Sequence, residues 1–138
     1  MNNLILSQED RVTVDINGIE YTFKPPNVTI AASYEARLGE AKEDTVKVLG
    51  IVKDLLKSIL CDVKGLKRID GSEFKLEFVN GEITDKSINA LLVPANIIPM
   101  CLTIGGVFQS VPVVGEPVKN PSTGEPIPGV IVKKIVCG

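Results

Sequence analysis

The sequence contains no histidine and no tryptophan. The first absence removes Ser-His and Cys-His nucleophile systems, histidine general bases and most catalytic zinc sites. The second, together with only two tyrosines and four phenylalanines, demands an aliphatic core. The three cysteines, Cys61, Cys101 and Cys137, are odd in number, widely spaced and without a CxxC pair. They offer neither a zinc ribbon nor a thioredoxin-like site, and read as incidental thiols of a reducing compartment, with Cys137 the most open to oxidation. There is no Walker A loop and no GxGxxG after a strand. Gly105-Gly106 is an isolated pair of the kind that marks a turn or kink. A basic stripe is missing too: 15 Lys and Arg stand scattered among 17 Asp and Glu, so no nucleic-acid partner is expected. The opening Met1 to Asp10 lacks the basic region of a signal peptide. Asn27-Val28-Thr29 fits the glycosylation pattern only by chance on that reading.

What is present suits one globular domain. The 138 residues are 44% hydrophobic and 23% charged, enough apolar mass for a real core. The clearest element runs from Val12 to Phe23. Val12, Val14 and Ile16 alternate with polar residues, Asn17-Gly18 supplies a two-residue turn, and Ile19, Tyr21 and Phe23 alternate again. Asn-Gly is the strongest short hairpin signal, because both positions need a positive φ. The register then sets Ile16 opposite Ile19, Val14 opposite Tyr21 and Val12 opposite Phe23, all on one face. Pro25-Pro26 ends the second strand.

Ile30, Tyr34 and Leu38 predict a helix capped by Thr29 and interrupted or ended at Gly39. A second helix is expected over Ala41 to Cys61, with Val48, Leu49, Val52, Leu55, Leu56, Ile59 and Leu60 as its stripe and Gly65 as its stop. From Leu66 to Thr84 the period returns to two. Asp70-Gly71 and Asn80-Gly81 bracket Phe74, Leu76 and Phe78, which predicts a small antiparallel meander. Thr84 then caps a short helix containing Ile88, Leu91 and Leu92, ending before Pro94.

Between Ser87 and Gly115 there is no charged residue. Pro94, Pro99, Gly105-Gly106, Asn89, Asn96 and Thr103 interrupt the run, and no basic flank marks it, so a membrane span is not expected. It reads instead as buried core or as an apolar surface covered by a partner. Beyond it, Pro112, Pro117, Pro121, Pro126 and Pro128 punctuate two extended segments joined by a loop. This predicts a C-terminal arm that packs on the domain or reaches a neighbour.

The expected fold class is α+β: an N-terminal β-hairpin, two helices, a small antiparallel meander, a short helix and an extended β C-terminal arm. Residues 1–110 form the α+β domain and 111–138 the Pro-rich arm. The carboxylates read as solvated structure: Glu40, Glu43 and Asp44 at a helix start, Glu73 and Glu77 beside Lys75 on a strand's wet face, and Asp10, Asp15 and Glu20 around the first hairpin. Lys133-Lys134 reads as protection of a strand edge. No catalytic, metal-binding or cofactor-binding residue is assigned, and no cofactor is expected. The candidate interface residues are Ile97, Ile98, Met100, Leu102, Ile104, Val107, Phe108, Val113, Val130 and Val132.

One layout carries a resemblance. The hairpin Val-Asp-Ile-Asn-Gly-Ile-Glu-Tyr-Thr-Phe-Lys-Pro-Pro opens directly into a helical segment, and a Thr-Asp-led short helix, Thr84 to Leu92, lies further on. Over roughly the first two thirds this resembles the small tail assembly chaperones and structural proteins of long-tailed bacteriophages. The resemblance implies a non-enzymatic role, with protein partners that are copies of the chain or other phage assembly proteins, in the host cytoplasm or in a virion. The arm from Val111 to Gly138 departs from that layout and suits a permanent structural subunit of a tail, connector or capsid-associated assembly. A small ligand-binding domain is the further alternative.

Overall fold

The computed structural model describes residue 7 and residues 9–106, 113–120 and 123–138. Its elements run β1 (Arg11–Ile16), β2 (Ile19–Phe23), α1 (Val28–Ala41), α2 (Thr45–Ile59), β3 (Leu60–Lys64), β4 (Phe78–Val79), β5 (Glu82–Ile83) and α3 (Asp85–Leu91). A 3-10 turn (Pro94–Asn96), α4 (Ile97–Gly106), β6 (Pro117–Lys119) and β7 (Pro126–Val136) follow. The fold is α+β. A five-stranded antiparallel sheet in the order β3-β2-β1-β7-β6 stands beside a separate β4-β5 pair.

The hairpin has the register its sequence dictates: Val12 pairs with Phe23, Val14 with Tyr21 and Ile16 with Ile19. Asn17 and Gly18 take φ of 52° and 89°, the two positive values a two-residue turn requires. The inward residues Val12, Val14, Ile16, Tyr21 and Phe23 are buried, while Thr13 and Thr22 share a hydrogen bond of 2.9 Å on the opposite face. One face of the sheet therefore carries the core. Val52, Leu55, Leu56 and Ile59 of α2, Ile88 and Leu91 of α3, and Met100 and Ile104 of α4 pack onto it.

The helices depart from expectation at their ends. Asn27, not Thr29, caps α1, its Oδ1 accepting from Ile30 N at 2.8 Å. The helix continues through Gly39 to Ala41, since a single helical glycine costs only about 1 kcal/mol. Asp44 caps α2, accepting from Lys47 N at 3.2 Å. That helix stops at Ile59, and Leu60–Lys64 form β3 where a continued helix was expected. Gly65 ends this strand and not a helix. It lies at φ +89°, and a Cβ there would sit 2.9 Å from Gly18 O, against the hairpin turn. Thr84 caps α3 as its sequence predicts, accepting from Ser87 N at 3.2 Å.

The expected meander is reduced to two separate closures. Around Asp70-Gly71 there is one bridge, Lys67 with Glu73, extended by Phe74 N donating to Leu66 O at 2.8 Å. Around Asn80-Gly81, Phe78 pairs with Ile83 and Val79 with Glu82. Between them the chain is pulled out of register with β3. Glu77 N donates to Ser87 Oγ at 2.9 Å, and Glu77 O accepts from Thr84 N at 3.0 Å, so α3's start holds this segment. Phe74 is buried, Leu76 half-buried, and Phe78 faces solvent.

The C-terminal segment takes the first of its two expected roles: it packs on its own domain. β7 lies between β1 and β6, its Val130 and Val132 buried against the core. The register with β1 shifts between Thr13 and Val14, leaving Lys133 as the extra residue of a bulge. Beyond Val132 no described strand flanks β7 on the side away from β1, and Lys133 and Lys134 are exposed there, consistent with edge protection.

A buried polar network ties the two layers together. Asn96, 1% exposed, donates through Nδ2 to Ile16 O at 3.3 Å and to Tyr21 Oη at 3.2 Å, and its Oδ1 accepts from Asn17 Nδ2 at 2.9 Å. Tyr21 Oη in turn donates to Leu91 O at 3.1 Å. By contrast Thr103 Oγ1, on buried α4, has no hydrogen-bond partner among the described residues.

Two opposite outcomes follow from the same cost of a buried, unmatched polar group. Tyr21→Phe strands Leu91 O and one Asn96 donor, and should lower unfolding free energy by about 1–3 kcal/mol in urea denaturation. Thr103→Val removes an unmatched hydroxyl at nearly constant volume, and should raise it by about 1 kcal/mol in the same assay.

Candidate functional site

The interface residues expected from sequence do not make one surface. Met100, Ile104, Val130 and Val132 are buried in the chain's own core, because the uncharged stretch supplies two of the core helices and β7 is an interior strand. They are not available to a partner. Ile97 and Leu102 are half-buried, whereas Ile98 and Val113 face solvent. Val107 and Phe108 lie outside the described residues. No described helix is by itself long and apolar enough to cross a membrane. α3 and α4 reach that composition only as a pair bent by 83°, and their larger apolar side chains are mostly packed inward.

The structure opens elsewhere, along α1. This helix has 14 residues, yet only Ala41 is buried. Ile30 and Tyr34 rest against the edge of the core, and Leu38 is half-buried. The reason is position: α2 and α4 cover the inner face of the sheet, so α1 packs mainly on α2. Its first turn carries no acidic residue and its last no basic one, so no charge within those turns complements the helix dipole.

A groove of about 510 Å³ lies between the two helices, lined by Arg37, Glu40, Ala41, Lys47, Gly50, Ile51 and Asp54. A second hollow of about 320 Å³ adjoins it, running along Ile30, Ser33, Tyr34, Leu55 and Ser58. The two share Arg37, Ile51 and Asp54. Arg37 and Asp54 form an ion pair of 2.9 Å with both side chains about half exposed, so it clips α1 to α2 with little net stabilisation. The lining is mixed: Ala41 and Ile51, both buried, lie at its base, and Arg37, Glu40, Lys47 and Asp54 set both signs of charge around it.

Gly50 is the feature the sequence reading passed over. It sits inside α2, where glycine costs about 1 kcal/mol relative to alanine. A Cβ there would meet nothing within 4 Å among the described residues. Packing within the chain does not call for glycine at this position, and its absent side chain leaves the groove wall low. The signal was readable in principle as a glycine within an otherwise strong amphipathic stripe.

The titrating groups do not converge on a reaction centre. Asp10, Asp70 and Asp85 are all held below the usual carboxylate value. Backbone N–H groups of Ser7 and Gly138 act on Asp10, Ser72 acts on Asp70, and a hydrogen bond from Lys57 acts on Asp85. Lys57 is correspondingly raised, first by that hydrogen bond. Cys101 is raised by burial, which keeps its thiol protonated. No group of three or more Cys, Asp or Glu suited to a metal ion exists among the described residues. Comparison with protein-family models, with curated proteins and with solved structures finds no match to this chain.

Tyr34, on the groove wall, is pushed up to about 12 by burial and, secondarily, by the neighbouring Cys101. An acid raised in the folded state favours folding below its unfolded value and loses that contribution as pH rises towards its folded value. Tyr34's contribution should therefore be constant below pH 10 and fall between 10 and about 12, adding to the earlier decline that Cys101, raised in the same direction, begins. Absorbance titration should show both tyrosines ionising at higher pH in the folded protein than in denaturant, since Tyr21 is also raised by burial.

Proposed function

We propose that this chain is a non-catalytic assembly protein of the bacteriophage tail-module type, an adaptor that holds an amphipathic helix of another morphogenesis protein between α1 and α2. The observation that carries the reading is the open α1–α2 groove. A helix that buries one residue of 14 leaves a trough beside it, and Gly50 lowers the wall of that trough. Helix-in-groove recognition needs these parts: an apolar floor for residues at i, i+3, i+4 and i+7, and a polar rim to fix orientation. Ile51 and Ala41 supply the floor, and Arg37, Glu40, Lys47 and Asp54 the rim. The fitting occupant is a helix with an apolar stripe flanked by charges of both signs. Such an adaptor would act in the host cytoplasm.

A second reading is a structural subunit of the particle, residing in the virion. The outer edge of β3, which no described strand covers, favours it, because an unpaired edge is a ready place for joining chains.

The test is Gly50→Leu. Its side chain projects into open space, so the fold should hold and helix propensity should rise by about 0.5–1 kcal/mol. Proteins encoded next to this one would be co-expressed with it and binding measured by calorimetry. The adaptor reading expects one saturable complex that Gly50→Leu weakens at least tenfold while the melting temperature stays level or rises. Binding untouched by Gly50→Leu would remove the groove. Growth of large species with concentration, in the absence of any client, would favour the subunit.

A further inference from the structure

The hairpin that leaves β3 is closed at its tip and open at its base. The Lys67–Glu73 bridge closes the tip. Continued along the chain, that register would set Lys64 opposite Leu76 and Asp62 opposite Phe78. These residues instead line the two walls of a groove of about 300 Å³. The far wall cannot swing in, because Glu77 is tied through both its N–H and its C=O to Ser87 and Thr84. A sheet edge thus faces an extended segment across a gap.

The direction of the edge's polar groups follows from the first turn. A two-residue turn makes Ile16 and Ile19 a hydrogen-bonded pair, so by alternation Val14 and Tyr21 are one as well. Tyr21 then spends its backbone groups on β1. Val63, opposite Tyr21, must point its N–H and C=O away from β2, into the gap. The hydrogen bonds agree: Val63 N donates to Asp62 Oδ1 at 2.9 Å, so a side-chain carboxylate occupies the place of a strand's carbonyl.

We infer that this gap receives an extended segment of another protein, which adds as a strand to β3 and carries an acidic–apolar–basic triplet. The charges select that order. Asp62 and Lys64 lie on the outer face and Val63 on the inner, buried face. Every strand pair of this sheet is antiparallel, and an incoming strand that follows suit meets Lys64 first, then Val63, then Asp62. Its acidic residue faces Lys64, its apolar residue enters the inner side near Phe74 and Leu76, and its basic residue faces Asp62. The incoming carbonyl replaces the Asp62 carboxylate on Val63 N, which frees that carboxylate for the basic residue. Backbone bonds supply the attachment and the two charge pairs the selectivity. This site stands apart from the α1–α2 groove, so neither inference depends on the other.

The experiment uses the full chain and two fluorescein-labelled heptapeptides, one centred on Glu-Val-Lys and the other on Lys-Val-Glu, followed by anisotropy. The first should bind at least tenfold more tightly. In the variant Asp62→Lys/Lys64→Asp the preference should invert, while circular dichroism stays that of the parent, both positions being exposed. Equal affinity for the two peptides, a preference unchanged by the exchange, or no binding by either peptide would overturn the inference. So would a concentration-dependent dimer abolished by Asp62→Lys alone, which would make a second copy's β3 the occupant.

Discussion

The Asn17-Gly18 turn is the constraint on which the arrangement of this domain rests. Its two positive φ values fix a two-residue connection, and that connection fixes which residues of β1 and β2 exchange hydrogen bonds. The consequences spread across the sheet in both directions. Towards β3, parity decides that Val63 offers its backbone to the open edge. Towards β7, Asn17 N donates to Gly129 O at 3.0 Å, and Gly129 takes φ +77°, a conformation open to glycine. A Cβ at Gly129 would run into Asn17 Oδ1, so the turn and β7 are fitted to each other from 112 residues apart. Asn17 Nδ2 reaches the helical layer as well, through Asn96. One turn therefore anchors the strand order, the outer edge and the attachment of the 3-10 turn.

That attachment shows why an apolar run contains a buried asparagine. A sheet and a helical layer held by aliphatic contacts alone can slide, since such contacts are non-directional. Tyr21 Oη and Leu91 O are polar atoms that such a layer would bury unmatched, at a cost of about 1–3 kcal/mol each. The tyrosine hydroxyl donates to Leu91 O, Asn96 donates to that hydroxyl and to Ile16 O, and these bonds form only in one relative placement. The network thus adds alignment to a core whose bulk stabilisation comes from valine, isoleucine and leucine.

These facts also set what could be read from the sequence. The first hairpin was legible in full, because period and turn chemistry are local and agree. α3 was legible for the same reason, from Thr84 and its apolar spacing. β3 was not. Leu60 and Val63 continue the apolar recurrence of α2, and only the empty edge of β2 makes a strand there the better use of them. The C-terminal segment was seen as extended, but its place between β1 and β6 is a long-range fact with no local signature. Of the candidate interface residues, Met100 and Ile104 come from an uncharged run that supplies core helices, and Val130 and Val132 from a strand inside the sheet, so at these four positions apolar character marked core. The groove lies where glycine replaces a better helix former, a signal that acquires meaning only once α1 is known to sit against α2.

The two surfaces left open have a common origin. The sheet offers one apolar face, and α2, α3 and α4 are enough to cover it. α1 is consequently supernumerary to the core: it caps its own start, packs on a neighbour already buried, and leaves a trough. At the sheet's edge the strand that local register would add next to β3 is diverted to feed α3, and a gap remains. In each case an element is present but withheld from the contact that would complete the fold. A domain selected only for stability would close both, by replacing Gly50 and by zipping the hairpin onto β3. Both stay open, at a cost of about 1 kcal/mol for the glycine alone, and they are two places where this domain leaves room beside its own elements.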